Sequence, residues 1–250
     1  MRPFLLSCFA ILAGLLFLAS PLHSDEEAAI KAIQKDGGQV TKAPKLPGNP
    51  VIEVTYRFRN SSTSGHPELK HLKEFKSLQS LNLEYTLVTD SDLKEVSRLT
   101  SLQTLHLGVA LNITDAGIKE LKPLQNLQTL ILASTKVTGQ GLNELKGLKV
   151  LNLVGTKCSD AVLKQLSELK NLEFLDLGLT SVTDVGLKDL KGMKSLQTLY
   201  LGNTQVTDVG IQDLRELKSL QLLQVRHTKV TKAGVDKLNT ALPQLRIEYR

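Results

Sequence analysis

The fold is decided by residues 196–219, which read LQTLYLGNTQVTDVGIQDLRELKS. Leu199 and Leu201 lie two positions apart, a spacing that puts both side chains on one face of a short strand. From Ile211 onward the apolar residues are three positions apart, which is typical of an α-helix or a 3₁₀ helix. The stretch therefore predicts a strand followed by a short helix.

The start of the predicted helix carries the pattern T-D-x-G. Thr207 precedes the helix, where its hydroxyl would accept a hydrogen bond from a free helical N–H group. Asp208 places a negative charge at the positive end of the helix. Gly210 fits either a crowded or a tightly bent first turn, and the sequence leaves both open.

The same unit recurs almost to the end of the chain, at intervals of 24, 25, 21, 24, 24 and 24 residues. A degenerate unit over residues 51–77 precedes the regular ones, and alternating apolar residues predict a last strand over residues 245–249. One unit buries too little apolar surface to offset the entropy lost by its backbone, so the units must stack. We therefore predict one array of about eight repeats plus a terminal strand over residues 51–250. The regular units begin at Leu78, Leu102, Leu127, Leu148, Leu172, Leu196 and Leu220.

The L-x-x-L-x-L strand pattern and the element TQVTDVGI, residues 204–211, resemble the leucine-rich repeat superfamily. The repeats are most similar to the ribonuclease-inhibitor-like and F-box-associated types, as found in exported bacterial leucine-rich repeat proteins. The resemblance covers residues 51–250. It implies an α/β solenoid, a horseshoe with a parallel β-sheet on its concave face and short helices on its convex face. It says little about function.

Residues 1–24 have the features of a secretory signal peptide. Arg2 gives a positive start, residues 4–18 are mostly apolar, and small residues lead to a cleavage site expected after Ser24. The apolar run is short for a membrane span, which needs about 20 residues. An uncleaved anchor is the alternative. Cleavage would leave no membrane span and a secreted or periplasmic protein.

Residues 25–50 are predicted to form an N-terminal capping helix and a linker. Residues 25–39 have an apolar side suited to a short amphipathic helix, and residues 40–50 contain three prolines. A cap is expected because the first repeat of an array would otherwise expose its core.

The formal net charge of +6 falls to +5 when Arg2 leaves with the signal peptide. The lysines are spread over the predicted helical faces, and no basic cluster with interleaved aromatic residues is present. The sequence therefore predicts no binding of nucleic acid. Cys158 stands where later repeats have valine, which favours a small buried side chain over a reactive thiol.

The titratable residues predict neither an enzyme nor a cofactor site. His106 projects from a strand onto the outward face of the sheet, and no carboxylate or nucleophile lies beside it in the predicted register. A row of aspartates recurs at one repeat position, which would suit a cation site. Capping and helix-dipole roles explain the same row, and we expect no metal. The row consists of Asp90, Asp115, Asp160, Asp184 and Asp208.

The outward face of the predicted sheet is the candidate binding surface. Its middle and later units carry apolar residues where solvent-facing positions are usually polar, which indicates an interface. The alternative is that strands favour valine and aromatic residues for folding alone. The apolar candidates are Ile131, Val150, Val154, Phe174, Tyr200 and Leu222, and Asp176 and Arg226 are predicted to form a polar rim.

These observations favour an exported, non-catalytic module that binds another protein or a peptide. The alternatives are a structural component of the cell envelope and a substrate-receptor-like adaptor of the F-box type. The predicted signal peptide argues against the adaptor. The sequence names no ligand and leaves the oligomeric state open.

Overall fold

The computed structural model describes residues 21–56 and 65–250. Its strands form one ten-stranded sheet in which the spatial order of the strands equals their order in the chain. All neighbouring strands are parallel except the first two. The strands are β1 Gly38–Lys42, β2 Val51–Tyr56, β3 Ser80–Asn82, β4 Thr104–His106, β5 Thr129–Ile131, β6 Val150–Asn152, β7 Phe174–Asp176, β8 Thr198–Tyr200, β9 Leu222–Gln224 and β10 Arg246–Glu248.

Short helices return the chain from each strand to the next, as a parallel sheet requires. Together with the open sheet they form the predicted α/β solenoid, with the strands on the concave face and the helices on the convex face. The α-helices are α1 Pro21–Lys35, α2 Leu93–Val96, α3 Asp115–Glu120, α4 Asp160–Leu166, α5 Asp184–Leu187, α6 Asp208–Ile211 and α7 Lys232–Ala241. The 3₁₀ helices are Leu69–Glu74, Leu142–Glu144, Lys188–Gly192 and Gln212–Glu216.

The core lies between the sheet and the helices. In each strand from β3 to β9 the middle residue is buried and its two neighbours are half-buried on the other face. Leu199 and Leu201 are fully buried, and so are Ile211, Leu214 and Leu217 from the helical side of the same repeat. The alternation predicted from the sequence is confirmed.

A row of aspartate–threonine hydrogen bonds links consecutive repeats. Asp184 accepts from the backbone N–H of Thr207 at 2.8 Å and from its hydroxyl at 2.6 Å. The Thr207 hydroxyl accepts from the N–H of Val209 at 3.1 Å, which confirms the predicted helix cap. The capping prediction missed the contact with the following repeat. The same pairs recur at Asp90–Thr114, Asp115–Thr138, Asp160–Thr183 and Asp208–Thr231.

Gly210 is required by crowding and not by a bent turn. Its φ is not among the positive values of the chain. A Cβ at this position would overlap the carboxylate of Asp184 and lie 2.8 Å from the Cα of that residue. The T-D-x-G pattern is therefore a contact between consecutive repeats. The aspartate of one repeat accepts hydrogen bonds from the threonine of the next, and the glycine of that next repeat leaves room for the aspartate side chain. Gly117, Gly186 and Gly234 stand in the same relation to Asp90, Asp160 and Asp208.

The row of aspartates is interrupted at the short repeat. Thr138 is followed by Gly139 where other repeats have aspartate, and the Gly139 N–H donates to Asp115 at 3.1 Å. Within the described residues, Ser159 of the next repeat has no carboxylate partner at the corresponding position. The two blocks of repeats are joined here by strand pairing, by the core and by exposed side-chain contacts such as that of Lys146 Nζ with Glu168 Oε2 at 2.9 Å.

The N-terminal segment covers the edge of β2. α1 buries Ala29 and Ile33 against the array, and β1 pairs antiparallel with β2. The predicted linker over residues 40–50 was wrong in its first part, because residues 40–42 belong to β1. α1 also begins at Pro21, before the expected cleavage site. Residues 1–20, which hold most of the predicted signal peptide, lie outside the described residues.

None of the helices in the described residues combines the length and the apolarity needed to cross a membrane.

Candidate binding face

The concave face presents the first and third residue of each strand in two rows. The first row contains Thr129, Val150, Phe174, Thr198 and Leu222, each paired in register with the next. The second row contains Ile131, Asn152, Asp176, Tyr200 and Gln224. Val154 and Arg226 lie two residues beyond β6 and β9 and continue the face at one edge. The structure thus places all eight predicted residues on this face, where Arg226 is exposed and the others are half-buried.

The apolar side chains form a band across strands β5 to β9, with one residue per strand in one row or the other. Phe174 and Tyr200 meet at its centre, with their ring centroids 5.2 Å apart and their planes at 73°. This edge-to-face contact is a favourable arrangement for two aromatic rings. Ile131 and Val150 continue the band towards the N-terminus, and Leu222 continues it towards the C-terminus. We call these five residues the apolar band.

Asp176 lies inside the face and not at its rim, so the predicted rim was wrong for this residue. It occupies the second row between Asn152 and Tyr200. Its Oδ1 accepts a hydrogen bond from the N–H of Gly178 at 2.8 Å. Burial raises the pKa of Asp176 above its ordinary value, and the hydrogen bond from Gly178 offsets this only in part. The carboxylate is thus partly desolvated, with Asn152 and Tyr200 as its lateral neighbours.

The charge of Asp176 is not needed for this local hydrogen bond. Asn82 and Asn152 stand at the same position of their repeats and accept the same bond, from Glu84 N and Val154 N, both at 2.9 Å. An amide therefore forms the same turn as a carboxylate. The negative charge at this position has no explanation in the turn itself.

A shallow pocket of about 130 Å³ adjoins Asp176. Two of its lining residues are glycines, which follow β7 and β8 two residues on. A Cβ at Gly202 would lie 2.6 Å from Gln224 Oε1, and one at Gly178 would lie 3.1 Å from Asp176 Oδ1. The pocket is lined by Val154, Asp176, Gly178, Leu179, Tyr200, Gly202, Asn203 and Gln224.

A second polar pair lies towards the N-terminal end of the face. His106 Nδ1 is 3.7 Å from Glu84 Oε1. The prediction that no carboxylate lies beside His106 was therefore wrong, because the side chain of Glu84, two residues beyond β3, lies against the next repeat. Both side chains are about one-third exposed. His106 pairs in register with Ile131 of β5, so the polar pair adjoins the N-terminal end of the apolar band.

The remaining candidates for chemistry have structural roles. Burial raises the pKa of the Cys158 thiol to about 12, and the nearby Asp160 adds to this, so the buried group is a neutral thiol at neutral pH. It packs as a small apolar side chain, as predicted. Among the described residues no three histidine, cysteine, aspartate or glutamate side chains converge on a possible metal site.

Comparison with known proteins agrees with the geometry. A family model of leucine-rich repeats in two copies matches residues 170–216. Comparison with curated protein sequences finds no match. The sheet has the leucine-rich repeat fold, and residues 170–216 match the leucine-rich repeat family model itself.

Three solved structures illustrate the similarity. Internalin C2 from Listeria monocytogenes is 20% identical, with a TM-score of 0.65 over 92% of this chain and 93% of its own. A leucine-rich repeat protein from Leptospira interrogans is 26% identical, with a TM-score of 0.61 over 74% of this chain and 46% of its own. TLR13, solved as a complex with ssRNA13, is 20% identical, with a TM-score of 0.54 over 74% of this chain and 30% of its own.

Proposed function

We propose that this chain is a non-catalytic module that binds a protein or peptide partner on its concave face, outside the cell or in the cell envelope. The observation that carries the proposal is the contact between Phe174 and Tyr200 on the face opposite the core. Aromatic side chains are strong anchors in protein interfaces. The apolar band around them and the polar residues beside it have the composition of an interface with a polar surround.

The charges on the face favour a protein partner over a nucleic acid. TLR13 binds an RNA through the same kind of fold, so the fold alone does not exclude RNA. Binding to a phosphate backbone depends on lysine and arginine, whereas Asp176 lies at the centre of this face. Arg226 is 3.3 Å from Glu248, and Arg246 is 2.6 Å from the same carboxylate, so both cations are already paired. The proposed location outside the cell or in its envelope rests on the predicted signal peptide.

The double variant Phe174→Ala/Tyr200→Ala is expected to weaken capture of the native partner at least about tenfold, or about 1.4 kcal/mol. Its free energy of unfolding should fall by no more than about 1–2 kcal/mol, since the rings lie opposite the core. The measurement uses the purified protein as bait in an envelope extract, with and without nuclease, and quantifies each retained protein.

The matched control is Val185→Ala/Val209→Ala. These valines are 60% and 74% exposed on the helical side, so the control also removes two accessible apolar side chains. It should retain the partner as the unaltered protein does. If Phe174→Ala/Tyr200→Ala retains the partner as well as the unaltered protein does, the binding site lies elsewhere. If nuclease treatment abolishes capture, the partner is a nucleic acid or is held through one.

A further inference from the structure

The pocket beside Asp176 contains a negative charge that the described residues leave unpaired. No lysine, arginine or histidine nitrogen of the described residues lies within salt-bridge distance of Asp176. Arg226, which borders the same end of the face, is directed to Glu248. A partly buried charge without a counterion is unfavourable, and asparagine makes the same turn at Asn82 and Asn152. The carboxylate is therefore available to a ligand.

Tyr200 adds a second group of suitable chemistry. It pairs in register with Asp176 on the neighbouring strand and lines the same pocket. Phe174 packs edge-to-face against its ring and limits the ring's freedom. A cation over an aromatic face is attracted by the ring's electrons, most strongly where water is excluded. A carboxylate beside an aromatic ring thus suits a donor with a positive charge and apolar methylene groups.

Gln224 supplies an acceptor on the third side of the pocket. Its amide lies over Gly202, and its Oε1 is buried without a hydrogen-bond partner among the described residues. The terminal torsion of a glutamine side chain is broad, so the amide can turn towards a donor that enters. Gly202 has no side chain and leaves the space that the Gln224 amide occupies. Its volume of about 130 Å³ is equivalent to about four water molecules of about 30 Å³ each.

We propose that this pocket binds the cationic end of a lysine or arginine side chain of the partner, with Asp176 as counterion, Tyr200 as aromatic wall and Gln224 as acceptor. The inference rests on the proposed function and names the chemistry of the partner at one position. A divalent metal ion fits less well, because Ca²⁺ and Mg²⁺ sites use several oxygen ligands and the pocket offers one carboxylate. The neighbouring apolar band contacts the rest of the partner's segment.

The test is a titration of the ¹⁵N-labelled protein with N-acetyl-arginine methylamide and N-acetyl-lysine methylamide, followed by amide chemical shifts. At least one of them should shift the amides of Gly178 and Gly202 with a Kd on the order of 1 mM, as expected for a small ligand. The neutral match, N-acetyl-citrulline methylamide, should bind at least about tenfold more weakly. Lower pH should weaken binding, because it protonates Asp176 through a pKa that burial has raised.

Asp176→Asn keeps the shape and the hydrogen bond to Gly178 and should weaken cation binding at least about tenfold. The matched control Asp213→Asn removes an exposed carboxylate from the helical side and should leave the Kd unchanged. Equal shifts with the citrulline compound, shifts centred elsewhere, or full binding to Asp176→Asn would overturn the proposal.

The outcomes separate this inference from the proposed function. If the Phe174 and Tyr200 variant loses the partner while the cationic compounds do not bind, the interface stands and the cation pocket is wrong. If the compounds bind at Asp176 while partner capture is unchanged in that variant, the cation pocket stands and the proposed interface is wrong.

Discussion

Leu199→Asp is expected to lower the free energy of unfolding by about 4 kcal/mol or more. Leu199 is fully buried in the middle of β8, between Leu175 of β7 and Leu223 of β9. The substitution places a carboxylate in this apolar layer, where no cation is near it in the register. Since each repeat completes the core of its neighbours, the damage is not confined to one unit.

The measurement is thermal and denaturant unfolding followed by circular dichroism, with Thr198→Asp as matched control. Thr198 is the preceding residue and is half-buried on the concave face, so the same charge remains close to water. The control should lose at most about 1 kcal/mol. An unchanged melting temperature for Leu199→Asp would contradict the inward assignment of this residue and with it the arrangement of the whole array.

Gly210→Ala is expected to lower the free energy of unfolding by about 2–3 kcal/mol. In an ordinary helix the same change stabilises by about 1 kcal/mol, so the sign itself is informative. The added Cβ would overlap the carboxylate of Asp184 in the preceding repeat. Gly192→Ala is the matched control, because a Cβ there meets only the flexible end of Lys170, at 3.3 Å.

A double-mutant cycle assigns this cost to the contact between repeats. Asp184→Ala alone should cost about 2 kcal/mol, because two donors of Thr207 lose their acceptor. In the Asp184→Ala background, Gly210→Ala should lower the free energy of unfolding by at least about 1 kcal/mol less than it does in the unaltered protein. The relief is partial, since the Cα of residue 184 stays close to the new methyl group. Strictly additive effects would show that the aspartate does not crowd the glycine.

The layers of the fold could be predicted from the sequence because they follow from short spacings. Leu199 and Leu201 alternate over three residues, and the register of one strand repeats in the next. The partner of Asp184 could not be predicted in this way, since Thr207 is 23 residues away and belongs to another unit. The signal for it was present in the repetition of T-D-x-G at a constant interval. That signal has meaning only when the units are stacked.

The other differences between the predicted and the observed structure also arise from contacts between residues that are far apart in the sequence. β1 is a polar segment that becomes a strand by pairing with the edge of β2, and nothing within its own residues requires this. The place of Asp176 at the centre of the face depends on four neighbouring strands. Glu84 reaches His106 from outside the strand register, so alternation alone could not place it.

Asp176→Asn tests most directly whether the concave face carries groups that serve binding and not folding. Its melting temperature at pH 7 should equal or exceed that of the unaltered protein. Burial raises the folded-state pKa of Asp176, so the ionised carboxylate opposes folding above that pKa. The melting temperatures of Asp176→Asn and the unaltered protein should converge below about pH 4, where the Asp176 carboxyl becomes neutral in both the folded and the unfolded state.

The same melting measurement on Asp184→Asn provides the contrast. One amide oxygen there must replace two carboxylate oxygens that accept from Thr207, so stability should fall by about 1 kcal/mol. We expect an unchanged or raised melting temperature for Asp176→Asn and a lowered one for Asp184→Asn. A fall in the melting temperature of Asp176→Asn as large as that of Asp184→Asn would contradict it, because Asp176 would then be a group that the fold itself requires.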